Sequence, residues 1–540
     1  MKVTFLGIGS KQLGISHLAA IIRKEGHIPS VAFSAQLFND RYALQFPSIA
    51  KYFDDTQDAI EQIKKINPDV ISFGALTSTY QWGLEVVNAA KKHNPTLKVI
   101  FGGVHPSAVP DLVIQEPNID FVVIGEGEEA LPAILKAIEN DSDTAPIPNT
   151  VFKDKTGNLI RGINKGFYQH LDEFPFPDNS IWEDFIRIGD VYITMATRGC
   201  PYRCSFCFNN FFAKLPEETP GKYVRLRSVD HLIAELKYAK ERYNIKVIDF
   251  EDDVFGTQKK WLREFAEKYK REINLPFIML THPKFIDEET AMLLSYAGCK
   301  KIQMGVQSLD EDFKRNSLSR VEKTEDIINA LTLLHKYKIK VNVDHMFGLP
   351  HEPVSAQEKA LELYANYPIN RIQTFWTCFL PGTQMMNEAI EEGVLSTKQI
   401  DDINKGREFY FYRNLDNIKD KALQNLYQSY EFIFRIIPLL PFFIKKRIKP
   451  KHVSWIPRPV KSVVIFTTDM FIGLGSLQLD FIAYFNHNMF HIARFFLKKI
   501  GINIVATKPK KDIDIIKYYN DYLNNKRKSN TNIRQESANV

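Results

Sequence analysis

Three of the five cysteines in this 540-residue chain fall within eight residues, in Arg198-Gly-Cys200-Pro-Tyr-Arg-Cys204-Ser-Phe-Cys207. Thiolates at Cys-x3-Cys-x2-Cys spacing can wrap one corner of a cuboidal iron–sulfur cluster. Three donors leave one iron without a protein ligand, and that iron can take a small molecule. A structural zinc ion wants four closed ligands, and no fourth cysteine accompanies these three. A disulfide would leave one thiol over. Further along, Asp249-Phe-Glu251-Asp252-Asp253 gathers carboxylates of the kind that hold an ammonium group, or that cap a following helix. Cys299 and Cys378 stand apart from this group and read as core residues, not ligands.

These groups need elements to place them. Residues 2–135 alternate short β-branched runs (Lys2–Leu6, Val31–Ser34, Val70–Ala75, Lys98–Gly102, Asp120–Gly125) with amphipathic stretches, the pattern of a doubly wound parallel sheet. Ligands of such sheets sit at the C-terminal strand edge. Glycine-bearing loops follow the strands there: Gly74-Ala-Leu-Thr77-Ser78-Thr79, Gly102-Gly103 and Gly125-Glu126-Gly127. Glycine lets a large ligand approach the backbone closely. Residues 141–190 read as a linker with a short hairpin. Strand–helix alternation resumes from 191 to 385 with six units, which implies a partial barrel. Residues 386–510 read as helical, and 511–540 as an Asn-rich tail without structure.

The cysteine spacing, with Phe206 before the last cysteine, resembles the radical SAM superfamily. That resemblance implies a 4Fe–4S cluster on Cys200, Cys204 and Cys207 whose open iron chelates S-adenosylmethionine. It also implies adenosylmethionine contacts from Phe206, from Glu251, Asp252 and Asp253, and from Gln307 and Ser308. Gly348-Leu-Pro-His351-Glu352 fits the pattern except for His351, where the family usually has Gly. The loops of residues 1–140 resemble the cobalamin-binding domain that precedes many radical SAM proteins. By that resemblance Gly102, Gly103, Gly125 and Glu126 border cobalamin, and Thr77, Ser78 and Thr79 line its dimethylbenzimidazole. The fold implied is α/β: a Rossmann-like cobalamin domain, a partial (β/α)6 radical SAM barrel and a mainly helical C-terminal region.

His17 lacks the Asp and Gly of the Asp-x-His-x-x-Gly cobalt-ligating motif and reads as a helix residue. With no histidine on cobalt, the resemblance implies the cobalt(I) and methyl-cobalt(III) cycle of radical methylation at an unactivated carbon. A cobalamin-dependent radical cyclase or rearrangement enzyme is the alternative within the class, and a non-catalytic cobalamin-binding sensor is the alternative outside it. Gly7-x-Gly9-x-x-x-x-Gly14 does not match a dinucleotide fingerprint.

Charge adds a clue about partners. Residues 441–511 carry thirteen Lys or Arg against Asp469 and Asp480, so that stretch is +11 while the whole chain is only +6. Its basic and aromatic segment 441–461 reads as a buried cap or as an interfacial membrane patch suited to a lipid-like substrate. The same basic surface could dock an acidic flavodoxin or ferredoxin reductant. No nucleic-acid module accompanies the charges. The opening residues lack a signal-peptide pattern, so the expectation is a cytoplasmic protein, with peripheral contact to the inner face of the membrane.

Overall fold

The computed structural model describes residues 1–38, 47–142, 145–218, 221–407, 420–475 and 479–538. The first sheet takes β1 (Lys2–Ile8), β2 (Ile28–Ser34), β3 (Val70–Gly74), β4 (Lys98–Gly102), β5 (Phe121–Val123), β6 (Thr150–Lys153) and β7 (Leu159–Arg161), in the order β2-β1-β3-β4-β5-β6-β7. Strands β1 to β5 are parallel, and β6 and β7 add antiparallel pairs at the edge. The hairpin expected within the linker is therefore part of this sheet. The parallel strands bury both faces under helices, which explains their near-continuous apolar runs. Strand order reverses between β1 and β3, and the loops that diverge there open a crevice.

The second sheet takes β8 (Tyr192–Thr194), then β11 (Ile248–Phe250), β12 (Phe277–Thr281), β13 (Cys299–Gln307), β14 (Lys340–Phe347) and β15 (Arg371–Trp376). A two-stranded ribbon of β9 (Thr197–Arg198) and β10 (Arg225–Leu226) interrupts the chain order. The six parallel strands lie in the order β15-β14-β13-β12-β11-β8, so β8 and β15 do not pair and the barrel is partial. Beside β14 and β15 stands the helix Lys421–Ile436. Its Phe434 stacks on Phe347 with ring centroids 5.6 Å apart.

The linker is not a spacer. Trp182 is fully buried against the first domain, where its indole N–H donates to Ser16 Oγ at 3.0 Å. A Cβ on Gly7 would stand 2.7 Å from that ring, so glycine is what admits it. Arg23 pairs with the buried Asp178 at 2.7 Å, and the buried Lys11 ammonium donates to Asn179 and to the Ile193 carbonyl. Both domains thus rest on one polar seam.

The C-terminal helices clasp the whole body. Asp469 bridges Arg371 of the barrel and Arg435, each at 3.1 Å. His487 reaches the Gly9 carbonyl and Lys498 reaches Asp58. The expected unstructured tail is instead a helix over Ile515–Ala538. Tyr518, Tyr519 and Tyr522 form a helical stripe that packs against Phe176 and Tyr238, and Tyr519 donates to the Asp172 carbonyl. The Asn-rich run after them hid that stripe. Among the described residues, no helix is long and apolar enough to cross a membrane.

Replacing Trp182 with alanine empties a fully buried site and takes the indole donor from Ser16, which keeps only its bond to Asn179. The variant should lose about 3–5 kcal/mol of stability, read as an earlier urea midpoint followed by tryptophan-independent far-UV dichroism.

Candidate active site between the two sheets

The cysteine loop begins where β9 ends. Gly199 holds a φ of +80°, and a Cβ there would sit 2.3 Å from the Tyr223 carbonyl, so no other residue fits. From that turn the chain passes Cys200, Cys204 and Cys207 and enters the short helix Phe208–Phe212. The Cys207 amide donates to the Cys204 carbonyl, and the Arg203 guanidinium donates to the Cys200 carbonyl at 2.7 Å. All three thiols are free. Burial pushes the Cys200 thiol up to about 12, with Asp253 and the other two cysteines adding to the shift.

Among the described residues, no three His, Cys, Asp or Glu side chains are gathered tightly enough to hold a single metal ion. Three thiols spread around one loop suit a multi-iron cluster better than a lone zinc, which needs every thiolate at about 2.3 Å. Two groups stand ready beside the sulfurs. Arg320 Nη1 lies 3.9 Å from Cys204 Sγ, and Asn209 Nδ2 lies 3.7 Å from Cys207 Sγ. Arg320 is fixed by Glu322 at 2.8 Å and by the Gly305 carbonyl at 2.8 Å. Burial opposes charge on Glu322, but His282, Arg320 and Lys314 together bring its carboxyl down to about 2. A cationic guanidinium therefore faces the loop where anionic thiolates would form.

A cavity of about 760 Å³ opens between the two sheets. From the second domain, Phe206, Cys207, Asn209, Tyr223, Glu251 and Asp253 line it. From the first come Gly74, Gly102, Gly103, Gly125 and Glu126, all at the C-terminal strand edge. Gly103 holds φ +89° and Gly125 φ +77°, and a Cβ on Gly103 would press on the Ala75 backbone at 3.0 Å. The cavity continues inward as an apolar slot bounded by Phe5, Ile15, Leu18, Ile100, Val123 and Leu131. Two polar side chains of its wall, Gln12 through its buried Oε1 and His17 through both ring nitrogens, have no hydrogen-bond partner among the described residues. A glycine cradle, a deep slot and orphaned polar atoms fit a large ligand that carries hydrogen-bonding arms, as cobalamin does.

The structure separates several residues expected at this site. Asp252 is fully buried away from the cavity, accepting from the Ala196 amide at 3.1 Å and the Thr197 amide at 2.5 Å. Burial lifts its carboxyl to about 7, against the pull of those amides. Its place is beneath the cysteine loop, tying β9 to the end of β11. Thr77, Ser78 and Thr79 do not line the cavity. Thr77 pairs with the buried His105 at 3.1 Å, and Thr79 Oγ1 caps its own turn at Leu76. Gln307 and Ser308 also lie outside the lining. Ser308 is fully buried, and Gln307 sits at φ +64° where the β13–β14 register slips. His351 has φ +62°, the left-handed conformation that glycine adopts without strain.

Glu126 lines the cavity but is already engaged. Arg225 grips it in a bidentate pair at 2.7 and 2.8 Å, and Arg198 stands 3.5 Å away while reaching Glu128 at 2.5 Å. These pairs latch the loop after β5 onto the β9–β10 ribbon, whose first strand leads into Cys200. Arg198, Arg225, Asn209, Tyr223 and Arg320 did not emerge from the sequence. Only Arg198, two residues before Cys200, carried a local signal.

Comparison with known proteins agrees with this geometry. A B12 binding domain model matches residues 9–135, and a Radical SAM superfamily model matches residues 194–364. An uncharacterised methyltransferase of Pyrococcus horikoshii is 26% identical over 400 residues, covering 73% of this chain and 81% of its own. Among solved structures, the cobalamin-dependent S-adenosylmethionine radical enzyme OxsB superposes with a TM-score of 0.61 at 15% identity, covering 99% of this chain and 80% of that one. The radical S-adenosylmethionine methyltransferase TsrM of Kitasatospora setae gives a TM-score of 0.57 at 19% identity, covering 72% and 76%.

Glu126→Gln keeps the shape of the latch and removes its charge. Because Glu126 stays 28% open to solvent, the loss should be about 2 kcal/mol, below the usual cost of breaking a fully buried pair. A double-mutant cycle with Arg225→Met should show most of that loss as coupling between the two positions.

Proposed function

Starting from a chain that is a cobalamin-dependent radical SAM protein, we propose that it transfers a methyl group to an unactivated carbon of a small molecule bound in the interdomain cavity. The observation that carries this reading is the shared cavity. Cys207 and Asp253 of one sheet and the glycine edge of the other face the same space. Chemistry that starts at a cluster and ends at a corrin needs that common room.

In this reading Cys200, Cys204 and Cys207 hold a 4Fe–4S cluster, and Gly102, Gly103 and Gly125 let the corrin lie against the backbone. When bound, the cluster supplies the electron that cleaves S-adenosylmethionine, and cobalamin supplies the carrier for the methyl group. Asp253 and Glu251 take the adenosylmethionine amino group, since they are the carboxylates of their run that open into the cavity. Asn209 steadies Asp253 while keeping its amide near Cys207. Phe206 offers an apolar wall beside them, and Phe208, Phe212 and Leu380 complete the exclusion of water. Gln307 and Ser308 act from behind, through the shape of the β13 end, and Asp252 positions the cysteine loop. Arg320 offsets the negative charge of the thiolates.

Reduction of the cluster calls for a low-potential donor, and an acidic flavodoxin or ferredoxin matches the basic C-terminal region. The same region supports a peripheral contact with an anionic membrane. Phe442, Phe443 and Trp455 are 59%, 63% and 77% exposed. They stand among Lys445, Lys446, Arg447, Lys449 and Lys451, with no acidic residue from 441 to 461. Aromatic wedges with a cationic rim suit a lipid headgroup layer.

Anaerobically reconstituted protein with adenosylmethionine and dithionite should release 5′-deoxyadenosine, and Cys204→Ala should abolish it. Asp253→Asn should raise the adenosylmethionine KM about tenfold, the worth of one charge-assisted contact of about 1.4 kcal/mol. Absence of 5′-deoxyadenosine from the wild type rejects the enzyme reading, and a product lacking an added methyl rejects methylation. In flotation with phosphatidylserine vesicles, the triple change Phe442→Ser, Phe443→Ser and Trp455→Ser should lose a salt-sensitive association. Equal flotation of wild type and variant removes the membrane contact.

A further inference from the structure

We propose that His17 and Gln12 read the carboxamide-bearing edge of the corrin in the interdomain cavity. The inference rests on the cobalamin reading and adds to it two residues on the loop and helix after β1. His17 lies in the helix Leu13–Lys24 and is 7% exposed. Its ring lines the large cavity and also the small pocket behind it formed with Phe174, Met195 and Arg198. Neither Nδ1 nor Nε2 meets a hydrogen-bond partner among the described residues. Five residues earlier, Gln12 occupies the N-cap of the same helix without capping it, and its buried Oε1 is likewise unpartnered. Buried polar groups are nearly always paired, so two orphans in one cavity wall mark where a ligand must supply the partners.

The chemistry of the orphans narrows the ligand group. Burial, reinforced by the nearby charges of Arg198, Arg227 and Lys11, holds the His17 imidazole neutral. A neutral imidazole offers one donor and one acceptor, and Gln12 Oε1 accepts only. A bare phosphate or carboxylate has no proton to give to Gln12 Oε1 as that amide is oriented here. A primary carboxamide has two N–H donors and a carbonyl acceptor, and it satisfies both side chains. The corrin periphery carries such groups. Two of the charged neighbours of His17, Arg198 and Arg227, belong to the second domain, so the ring stands where the two domains meet.

The test uses the full chain and hydroxocobalamin, with binding followed by equilibrium dialysis. His17→Phe and Gln12→Leu should each weaken binding about tenfold, whereas His17→Gln, which keeps a donor and an acceptor, should stay within about threefold of wild type. Thermal unfolding of each variant separates a folding defect from a binding defect, and the paired His17 variants carry the comparison. Electron paramagnetic resonance of the bound cobalt(II) form should give the same nitrogen pattern in wild type and His17→Phe. Unchanged affinity in His17→Phe overturns the inference, and so does a nitrogen splitting that this variant abolishes, since His17 would then ligate the metal. Failure of the wild type to bind cobalamin at all would instead reject the reading beneath it.

Discussion

Everything at this site depends on holding the C-terminal edges of two separate parallel sheets face to face. Each edge is a good ligand platform alone, because loops diverge there and expose backbone amides. A radical reaction between two large cofactors needs both platforms at one separation. The chain achieves this with the carboxylates of Glu126 and Glu128 set against the guanidiniums of Arg198 and Arg225. These pairs sit in the cavity wall, where water is scarce and a lost partner is costly. The latch joins the loop after β5 to the β9–β10 ribbon that leads into Cys200, and so ties the glycine cradle to the cysteine loop.

Around the cysteines, the chain itself arranges buried charge. Asp252 fixes the incoming backbone from below, and the Arg320–Glu322–Lys314–His282 group places a cation beside Cys204. Each member of that group is buried, and each is paired. Such a network is expensive to build and gives little net stability, so its value lies in orientation. The C-terminal region has a comparable division of labour. Asp469, one of its few acids, is spent inward on Arg371 and Arg435. Much of its positive charge and several of its aromatics remain outward, which is why a mild net charge conceals a sharply basic surface.

How much of this was legible in the sequence follows from the range of the interactions. The cysteine spacing, the strand–helix alternation and the glycine-bearing loops are local patterns, and they specify the cluster, both parallel sheets and the edge where ligands bind. Thr77, Asp252 and Gln307 show the limit. Each has the right type in the right motif, yet Thr77 and Asp252 are buried and held by the chain itself and Gln307 lies outside the cavity lining, and a one-dimensional pattern does not encode which side of a turn faces the cavity. The tail helix failed for the same reason, since its tyrosine stripe gains meaning only against Phe176 and Tyr238.

The sequence by itself determined the cofactor chemistry, because metal ligation by closely spaced thiolates is a short-range property of the chain. Only the tertiary structure decided which acidic residues open into the shared cavity, that Glu126 serves as a latch, and that Gln12 and His17 share the cavity wall. Those facts arise from contacts between residues on the order of a hundred positions apart. They exist only once hydrophobic burial has stacked the two sheets and excluded water from the gap between them.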